Sequence, residues 1–209
     1  NLLKIMEGGW FPLLLGAACF LLLMTWYQGR KLLRQRAMEE GIELKGFIDV
    51  LMKNPPHRVE GTAIFLTAHV DYLPVSFLHN LKHNHVLHER VFFLKVSIWD
   101  VPYVKDEERI TLRDLGNNVF VVRAVYGFNE TPDMGKIIEL IEKSSGLKFN
   151  LMDTSFFLSR DTIVPTEVPG MAIWRERLFC WMYQNAGRQS DFFKIPANRL
   201  VELGAKVEI

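Results

Sequence analysis

Histidine is the ionisable residue type that clusters most strongly in this sequence. Four of the six histidines fall within one short stretch, at His79, His83, His85 and His88. A spacing of four on a predicted helix, as between His79 and His83, can present two imidazoles to one zinc ion. However, no Glu follows the first histidine in an HExxH pattern, and neither cysteine lies nearby. The default interpretation is a polar helix end with solvated histidines, and zinc binding is the alternative.

A second candidate site is the loop that contains His69 and Asp71. It follows a buried strand predicted over residues 59–68, and open α/β sheets place ligand crevices beyond the carboxyl ends of their strands. Asp71 could equally cap the next helix through a turn. The sequence has no glycine-rich phosphate loop of the GxGxxG or GxxxxGK[ST] type. We therefore treat His69 and Asp71 as a candidate regulatory-ligand loop.

The sequence contains no recognisable catalytic motif. It has no GxSxG nucleophile elbow, no pattern of paired carboxylates, and no histidine in sequence context with Cys19 or Cys180. Two distant cysteines build neither a disulfide framework nor a zinc ribbon, which fits a reducing compartment. We expect no catalytic residues, no bound metal and no cofactor, and a chain that is not an enzyme.

Charge and length set the broad class of the chain. Its 209 residues include 25 basic and 24 acidic side chains, for a net charge of +1. Without a large single-sign field, nucleic acid is not an expected partner. The roughly 180 residues that follow the first 27 are enough for one compact domain with its own core.

An apolar segment precedes the candidate sites in the sequence. It covers residues 10–27, WFPLLLGAACFLLLMTWY, and carries no formal charge. As a helix it would span roughly 27 Å, close to the ~30 Å hydrocarbon core of a bilayer. Trp10 at one end, and Trp26 with Tyr27 at the other, suit the headgroup level. A buried core helix is the alternative, but such helices are usually shorter than this segment.

Basic residues follow the apolar segment, at Arg30, Lys31, Arg34 and Arg36. This order is the reverse of a secretory signal peptide. The positive-inside rule places the N-terminal end outside the cell and residues 29–209 in the cytoplasm. Because the chain also begins without Met, we expect it to be the C-terminal piece of a larger multi-pass protein.

Hydrophobic periodicity predicts an α/β fold, with one transmembrane helix followed by a domain whose mixed, mostly parallel sheet has about five strands flanked by helices. The predicted division is residues 1–28 for the span and its outer entry, 29–53 for a juxtamembrane amphipathic helix interrupted at Gly41, and 54–209 for the α/β domain. Strands are predicted at residues 59–68, 91–98, 107–115, 118–128 and 149–159. Helices are predicted at residues 74–83, 131–143, 169–186 and 196–203. In the helix at 169–186 one face is shared by Met171, Trp174, Leu178, Trp181 and Met182.

The segment KIMEGGWFPL at residues 4–13 resembles the entry to the last helix of the Kup-type (KUP/HAK/KT) low-affinity potassium transporters. The resemblance continues over essentially all 209 residues, through GRKLLRQR after the apolar segment and through residues 55–66, 75–84, 98–103 and 156–160. It implies a twelve-span, proton-coupled potassium uptake protein of the cell inner membrane. Only the last transmembrane helix and the cytosolic domain of such a protein would be present here.

The resemblance also implies that potassium and protons pass through spans that this chain lacks. Residues 10–27 contain no acid that could coordinate a cation, so we expect this span to be scaffold. Two functions remain open. The chain is either the end of a K+:H+ symporter, with a domain that supports assembly or regulates transport, or a self-contained single-span regulator or enzyme. Cytosolic domains of some related importers resemble nucleotide-binding folds, so a regulatory nucleotide is a further expectation. A homodimer, formed through the long amphipathic helix or a sheet edge, is another.

Overall fold

The computed structural model describes residues 9–39, 41–164, 170–186 and 193–208. The chain forms two compact units. The helical unit comprises Asn1–Glu40, Thr162–Ala186 and Lys206–Ile209, and the sheet unit comprises Gly41–Asp161 and Gly187–Ala205. The first eight residues of the predicted span and entry (1–28), and the predicted helix start at Pro169, lie outside the described residues.

The helical unit is built from α1 (Trp10–Glu39) and α6 (Ile173–Gln184). By length and composition α1 could cross a membrane, and nearly all of its most apolar 18-residue window is exposed. Its C-terminal half buries Thr25, Gly29 and Leu33. Leu33 packs in a small core with Ile163, Phe179 and Cys180. α1 ends at Glu39 and α2 begins at Leu44, so the predicted interruption at Gly41 is confirmed.

The sheet unit contains a mixed sheet with the strand order β3-β4-β2-β1-β5-β6 in the described residues. β1 pairs in parallel with β2 and β5, and β2 pairs in parallel with β4, whereas β3 and β4 form the predicted antiparallel hairpin. The strands are β1 (His57–Leu66), β2 (Val86–Trp99), β3 (Ile110–Asp114), β4 (Val119–Gly127), β5 (Thr154–Val164) and β6 (Leu200–Glu208). The other helices are α2 (Leu44–Leu51), α3 (Val75–His79) with a π-helical turn (Asn80–Asn84), α4 (Asp106–Arg109) and α5 (Met134–Ser145). The mixed, mostly parallel architecture is confirmed, with six strands instead of about five.

Both faces of the central strands are covered, which explains why these strands are almost continuously apolar. One face packs against α5, with Ile64, Phe92 and Val122 facing Met134 and Ile137 in a single cluster. The opposite face packs against α2 and α3, and its core residues are Phe65, Phe93, Val121, Phe157, Leu44, Ile48 and Phe77.

The sixth strand corrects a helix prediction. Residues 196–203 were predicted to be helical, but only a 3₁₀ turn forms at Ala197–Arg199, and β6 begins at Leu200. Gly204, which follows the predicted helix directly, lies inside β6. Short apolar runs are ambiguous between helix and strand, and here the outer edge of β5 provides a pairing partner that local sequence cannot reveal.

Three element starts also differ from prediction. The predicted strand at 107–115 begins with the helical turn α4, whose first turn is acidic and therefore suits a helix N-terminus. The helix predicted from residue 131 begins at Met134, and its N-cap is Asp133, whose Oδ1 accepts from the amides of Gly135 (2.9 Å) and Lys136 (3.3 Å). β5 begins at Thr154, after a 3₁₀ turn that the side chain of Asn150 caps.

Candidate functional site

The parallel strands do not all end at the same level at the carboxyl-terminal end of the sheet. β1 last pairs with β2 at Leu66↔Leu94, whereas the β2–β4 ladder continues to Trp99↔Gly127. In the described ladder, β2 therefore pairs only with β4 beyond Leu94. The loops that follow β1, β2 and β4 all lie at this end, because the carboxyl ends of parallel strands point the same way.

The predicted regulatory-ligand loop follows β1. The Thr67 hydroxyl donates to the carbonyl of His69 (2.7 Å), and the His69 amide donates to the same hydroxyl oxygen (3.1 Å). The Asp71 carbonyl accepts from the Leu44 amide at the start of α2 (2.9 Å). The Asp71 carboxylate lies 3.9 Å from Nη2 of Arg123, and both side chains are exposed, so this ion pair adds little stability.

The capping alternative for Asp71 is wrong in this structure. The residue at the N-cap of α3 is Pro74, and no side chain makes a capping hydrogen bond there. The Asp71 carboxylate is therefore directed towards Arg123, and the loop is joined to α2 through its backbone. The resulting surface offers one acidic and one basic group beside the end of β1.

A buried ion pair between Arg109 and Glu130 also lies at this end of the sheet, and it was not predicted from the sequence. The Arg109 side chain is 2% exposed, and its Nη2 lies 2.7 Å from Oε1 of Glu130. Its Nε contacts Oδ1 of Asp106 (3.1 Å), and its guanidinium carbon lies 4.5 Å from the centroid of the Tyr126 ring. The guanidinium also donates to the carbonyl of Val104. Arg109 thus joins α4 to the loops that follow β2 and β4.

Glu130 completes this connection from the other side. Its Oε2 accepts from the amides of Gly127 (2.7 Å) and Val104 (3.1 Å). The hydrogen bond from Arg109, together with these amides, lowers the pKa of Glu130 to about 2. The same contact raises the pKa of Arg109, and burial raises the pKa of Tyr126. Glu130 is therefore ionised throughout the physiological range.

The end of β2 and the loops held by this ion pair expose large apolar side chains. We call this set the apical patch: Ile98, Trp99, Val101, Tyr103 and Phe128. The Phe128 amide donates to the Val101 carbonyl (2.9 Å), and the Asn129 amide donates to the Pro102 carbonyl (3.2 Å). Pro102 also lies so close to Gly127 that a Cβ would not fit there. The two loops are consequently fixed to each other.

Charged residues of opposite sign lie on either side of the apical patch. Lys95 and Arg123 are directly paired in the β2–β4 register, before the patch is reached along the strands. Asp106, Glu107 and Glu108 follow the patch along the chain, in the first turn of α4. The arrangement suits contact with another protein surface, because interfaces combine an apolar centre with a charged rim.

The histidine cluster does not form a metal site among the described residues. The rings of His79 and His83 lie 5.5 Å apart between centroids, on α3 and the π-helical turn. His85 has a left-handed backbone conformation, with a φ of 55°, immediately before β2. His88 lies in β2, its Nδ1 has no partner among the described residues, and burial lowers its pKa.

Two cavities lie at the opposite edge of the sheet, near the starts of the parallel strands. One of about 550 Å³ is mainly apolar and is lined by Phe47, Leu51, Asn54, Pro55, Pro56, Leu78, Leu81, Lys82 and His85. The other, of about 490 Å³, is polar and includes Glu60, Gly61, His88, Asp153 and Arg199. Neither His69 nor Asp71 lines either cavity, so the predicted regulatory-ligand loop is not part of these two cavities.

Comparison with known proteins identifies the family. Residues 60–209 match the family model described as the K+ potassium transporter C-terminal domain. Over its whole length the chain is 88% identical to the probable potassium transport system protein Kup of Polynucleobacter asymbioticus, and 60% identical to its counterpart in Cupriavidus pinatubonensis. The chain spans 32% and 33% of the lengths of these two relatives. No solved structure matches the chain. As the sequence resemblance predicted, the chain belongs to the K+ potassium transporter C-terminal domain family.

Proposed function

We propose that the chain is the C-terminal part of a potassium uptake transporter that acts as a K+:H+ symporter. In this proposal α1 is the last span of a multi-pass protein in the cell inner membrane, and residues 29–209 are cytoplasmic. The names of the relatives, the apolar α1 and the basic residues after position 28 support it. Residues 1–28, 29–53 and 54–209 would then serve as span, connection and cytosolic domain.

The sheet unit, in this proposal, supports assembly of the transporter or tunes transport, and it catalyses no reaction. The observation that carries the proposal is the apical patch on its fixed loops. Exposed apolar side chains are costly when they are contiguous, and such patches mark interaction surfaces. A buried ion pair that fixes both loops reduces the conformational entropy that a partner would otherwise have to remove.

The proposed partner of the apical patch is a second copy of the chain. A two-fold contact brings the same patch of both copies together, and it can place the basic end of one patch against the acidic end of the other. Lys95 and Arg123 would then face Glu107 and Glu108 across the interface, because Asp106 is already paired with Arg109 and Lys136. Such opposite charges favour one orientation of the pair over others.

A regulatory nucleotide at the loop of His69 and Asp71 is the second part of the proposal. Its support is the position of this loop beyond the carboxyl end of β1, with the guanidinium of Arg123 nearby to attract an anion. The test is a nucleotide titration of the Arg123→Gln variant against the parent protein. Equal affinity in both would contradict this placement.

The assembly role is tested in the full-length transporter, in cells that lack their own potassium uptake. Deleting residues 43–209 should abolish rubidium uptake while the membrane part still inserts. The paired substitution Trp99→Asn with Phe128→Ser should reduce the dimer fraction, measured by mass photometry, and uptake with it. Val50→Ser is the matched control, because Val50 is also an exposed apolar residue but lies on α2. Unchanged uptake after the deletion would refute the proposal, and an unchanged dimer fraction would refute the apical patch as the interface.

A further inference from the structure

Helix α6 has one face that packs against α1 inside the helical unit. Nε of Arg175 donates to Oγ1 of Thr25 (3.1 Å), and the ring of Phe179 lies 5.6 Å from the ring of Trp26 between centroids. The Phe179 ring also fills the space where a Cβ on Gly29 would lie. The contact between the helices is therefore close and is centred on Thr25 to Gly29 of α1.

The opposite face of α6 is exposed and carries large apolar side chains together with Arg177. Trp174 is 55% exposed and Trp181 is 62% exposed, and Ile173 is exposed beside them. Trp174 and Trp181 belong to the face predicted from the sequence, whereas Met171 of that set packs against the small core of the helical unit. Two large aromatic side chains on one exposed face are typical of a surface that a partner or lipid covers in the functional protein.

The position of α6 along α1 indicates which environment covers this face. The contact lies at the end of the apolar segment, beside Trp26 and Tyr27, and Tyr27 is itself exposed. Trp and Tyr at the end of an apolar span mark the headgroup region of a bilayer. A helix packed against α1 at this level lies at the same depth.

The charges around α6 fit the same environment. Arg177 is exposed on α6, and Arg30 and Lys31 are exposed on the part of α1 that follows the apolar segment. All three are cationic, as expected where the anionic phosphates of an inner leaflet lie nearby. The carboxylate of Glu176 is buried and accepts from the Met171 amide (3.1 Å), so it does not oppose this attraction at the surface.

We propose that α6 is an interfacial membrane helix that lies in the cytoplasmic headgroup layer of the bilayer that α1 crosses. Trp174 and Trp181 insert among the lipids, and Arg177 with Arg30 and Lys31 contacts the phosphates. This inference depends on the proposed function only in requiring that α1 crosses the bilayer. It assigns a second membrane contact to a helix that is far from α1 in sequence and is itself too short to span.

The five tryptophans of the chain allow a direct test, because they belong to different environments. Single-tryptophan variants keep Trp26, Trp99, Trp174 or Trp181 and replace the others by Phe. Each variant is reconstituted in nanodiscs of phosphatidylcholine brominated either near the headgroup or deep in the acyl chain. We expect Trp181 and Trp174 to lose as much emission as Trp26 in shallow-brominated lipid, and less in deep-brominated lipid.

Trp99 of the apical patch is the matched control, because it is about as exposed as Trp174 but lies in the sheet unit. It should keep its emission in both lipids and be quenched by aqueous iodide. If Trp26 is quenched by bromolipid but Trp174 and Trp181 respond only to iodide, the inference is wrong and the proposed span stands. If Trp26 is not quenched by either bromolipid, the proposed span itself fails.

Repeating the measurement in the full-length transporter separates lipid from protein as the cover of α6. Quenching of Trp181 by shallow-brominated lipid should persist there. Its loss in the longer protein would show that other spans or a second copy cover the helix, and would overturn the inference. Slow alkylation of the buried Cys180 in every variant confirms that α6 still packs on α1.

Discussion

Replacing Glu130 by Gln should release the two loops that carry the apical patch. The substitution keeps the size of the side chain but removes the charge that faces Nη2 of Arg109 at 2.7 Å. Arg109 is almost fully buried, so its guanidinium loses its main counter-charge and retains only the partly exposed Asp106. Breaking a buried pair on one side is strongly destabilising, because a buried charge is left uncompensated.

The magnitude follows from the pKa of Glu130, which the ion pair and two amides lower from 4.5 to about 2. Because each pKa unit corresponds to about 1.4 kcal/mol, the ionised carboxylate contributes about 3 kcal/mol to folding. The side chain is only 17% exposed, so solvent screening reduces this value little. The pKa is lower in the folded state, so the contribution is complete above pH 4.5. It is lost as the pH falls from 4.5 towards 2.

Hydrogen exchange of individual amides measures this effect locally. The amides of Val104 and Gly127 donate to Glu130, and in the Gln variant their exchange should accelerate by up to about 100-fold at neutral pH. Glu139→Gln is the control, because its ion pair with Lys143 is exposed on α5 and lies within that one helix. Equal exchange in the two variants would refute the conclusion that Glu130 fixes the loops. The conclusion would also be refuted if the free energy of unfolding of the parent protein did not decrease when the pH is lowered from 4.5 towards 2.

Substitutions of glycine give further predictions. Gly61→Ala should destabilise the sheet unit by about 2 kcal/mol or more, because its φ of 101° is strained for alanine and its Cβ would lie 2.6 Å from a backbone oxygen. Gly116 also has a positive φ, but a Cβ there would have no described atom within 4 Å. Comparing the two alanine variants by urea denaturation therefore separates the cost of the steric clash at Gly61 from the cost of the positive φ. Gly29→Ala should force α6 away from α1 and accelerate maleimide labelling of Cys180, because burial raises the pKa of this thiol in the parent protein. Gly16→Ala is the control and should not change the labelling rate, because a Cβ on Gly16 would have no described atom within 4 Å.

The sequence predicted the central strands and helices of the sheet unit because their signals are local. The apolar runs that became β1 and β2 are bounded by prolines and polar residues, and a buried parallel strand needs no further information to be recognised. The predicted loop of His69 and Asp71 also follows β1, as expected. These features depend on residues that are neighbours in the chain.

The remaining features depend on partners that are distant in the chain. Arg109 and Glu130 were not predicted, because an Arg in an acidic segment and a Glu before Thr-Pro are individually ordinary surface residues. Only the β3–β4 hairpin brings Arg109 and Glu130 together and excludes water from the guanidinium. β6 likewise exists as a strand because β5 offers it an edge, which no window of local sequence contains.

The two exposed apolar surfaces show that periodicity identifies an apolar face without identifying what covers it. The apical patch has acidic residues on one side, and an acidic rim is unfavourable beside the anionic phosphates of an inner leaflet. It therefore suits a protein partner with complementary charge. The exposed face of α6 has cationic residues around it and lies beside Trp26 at the end of the apolar segment, so lipid is the consistent environment. The two proposals, a protein interface for one surface and a membrane interface for the other, therefore differ in the charge that lies beside each apolar surface.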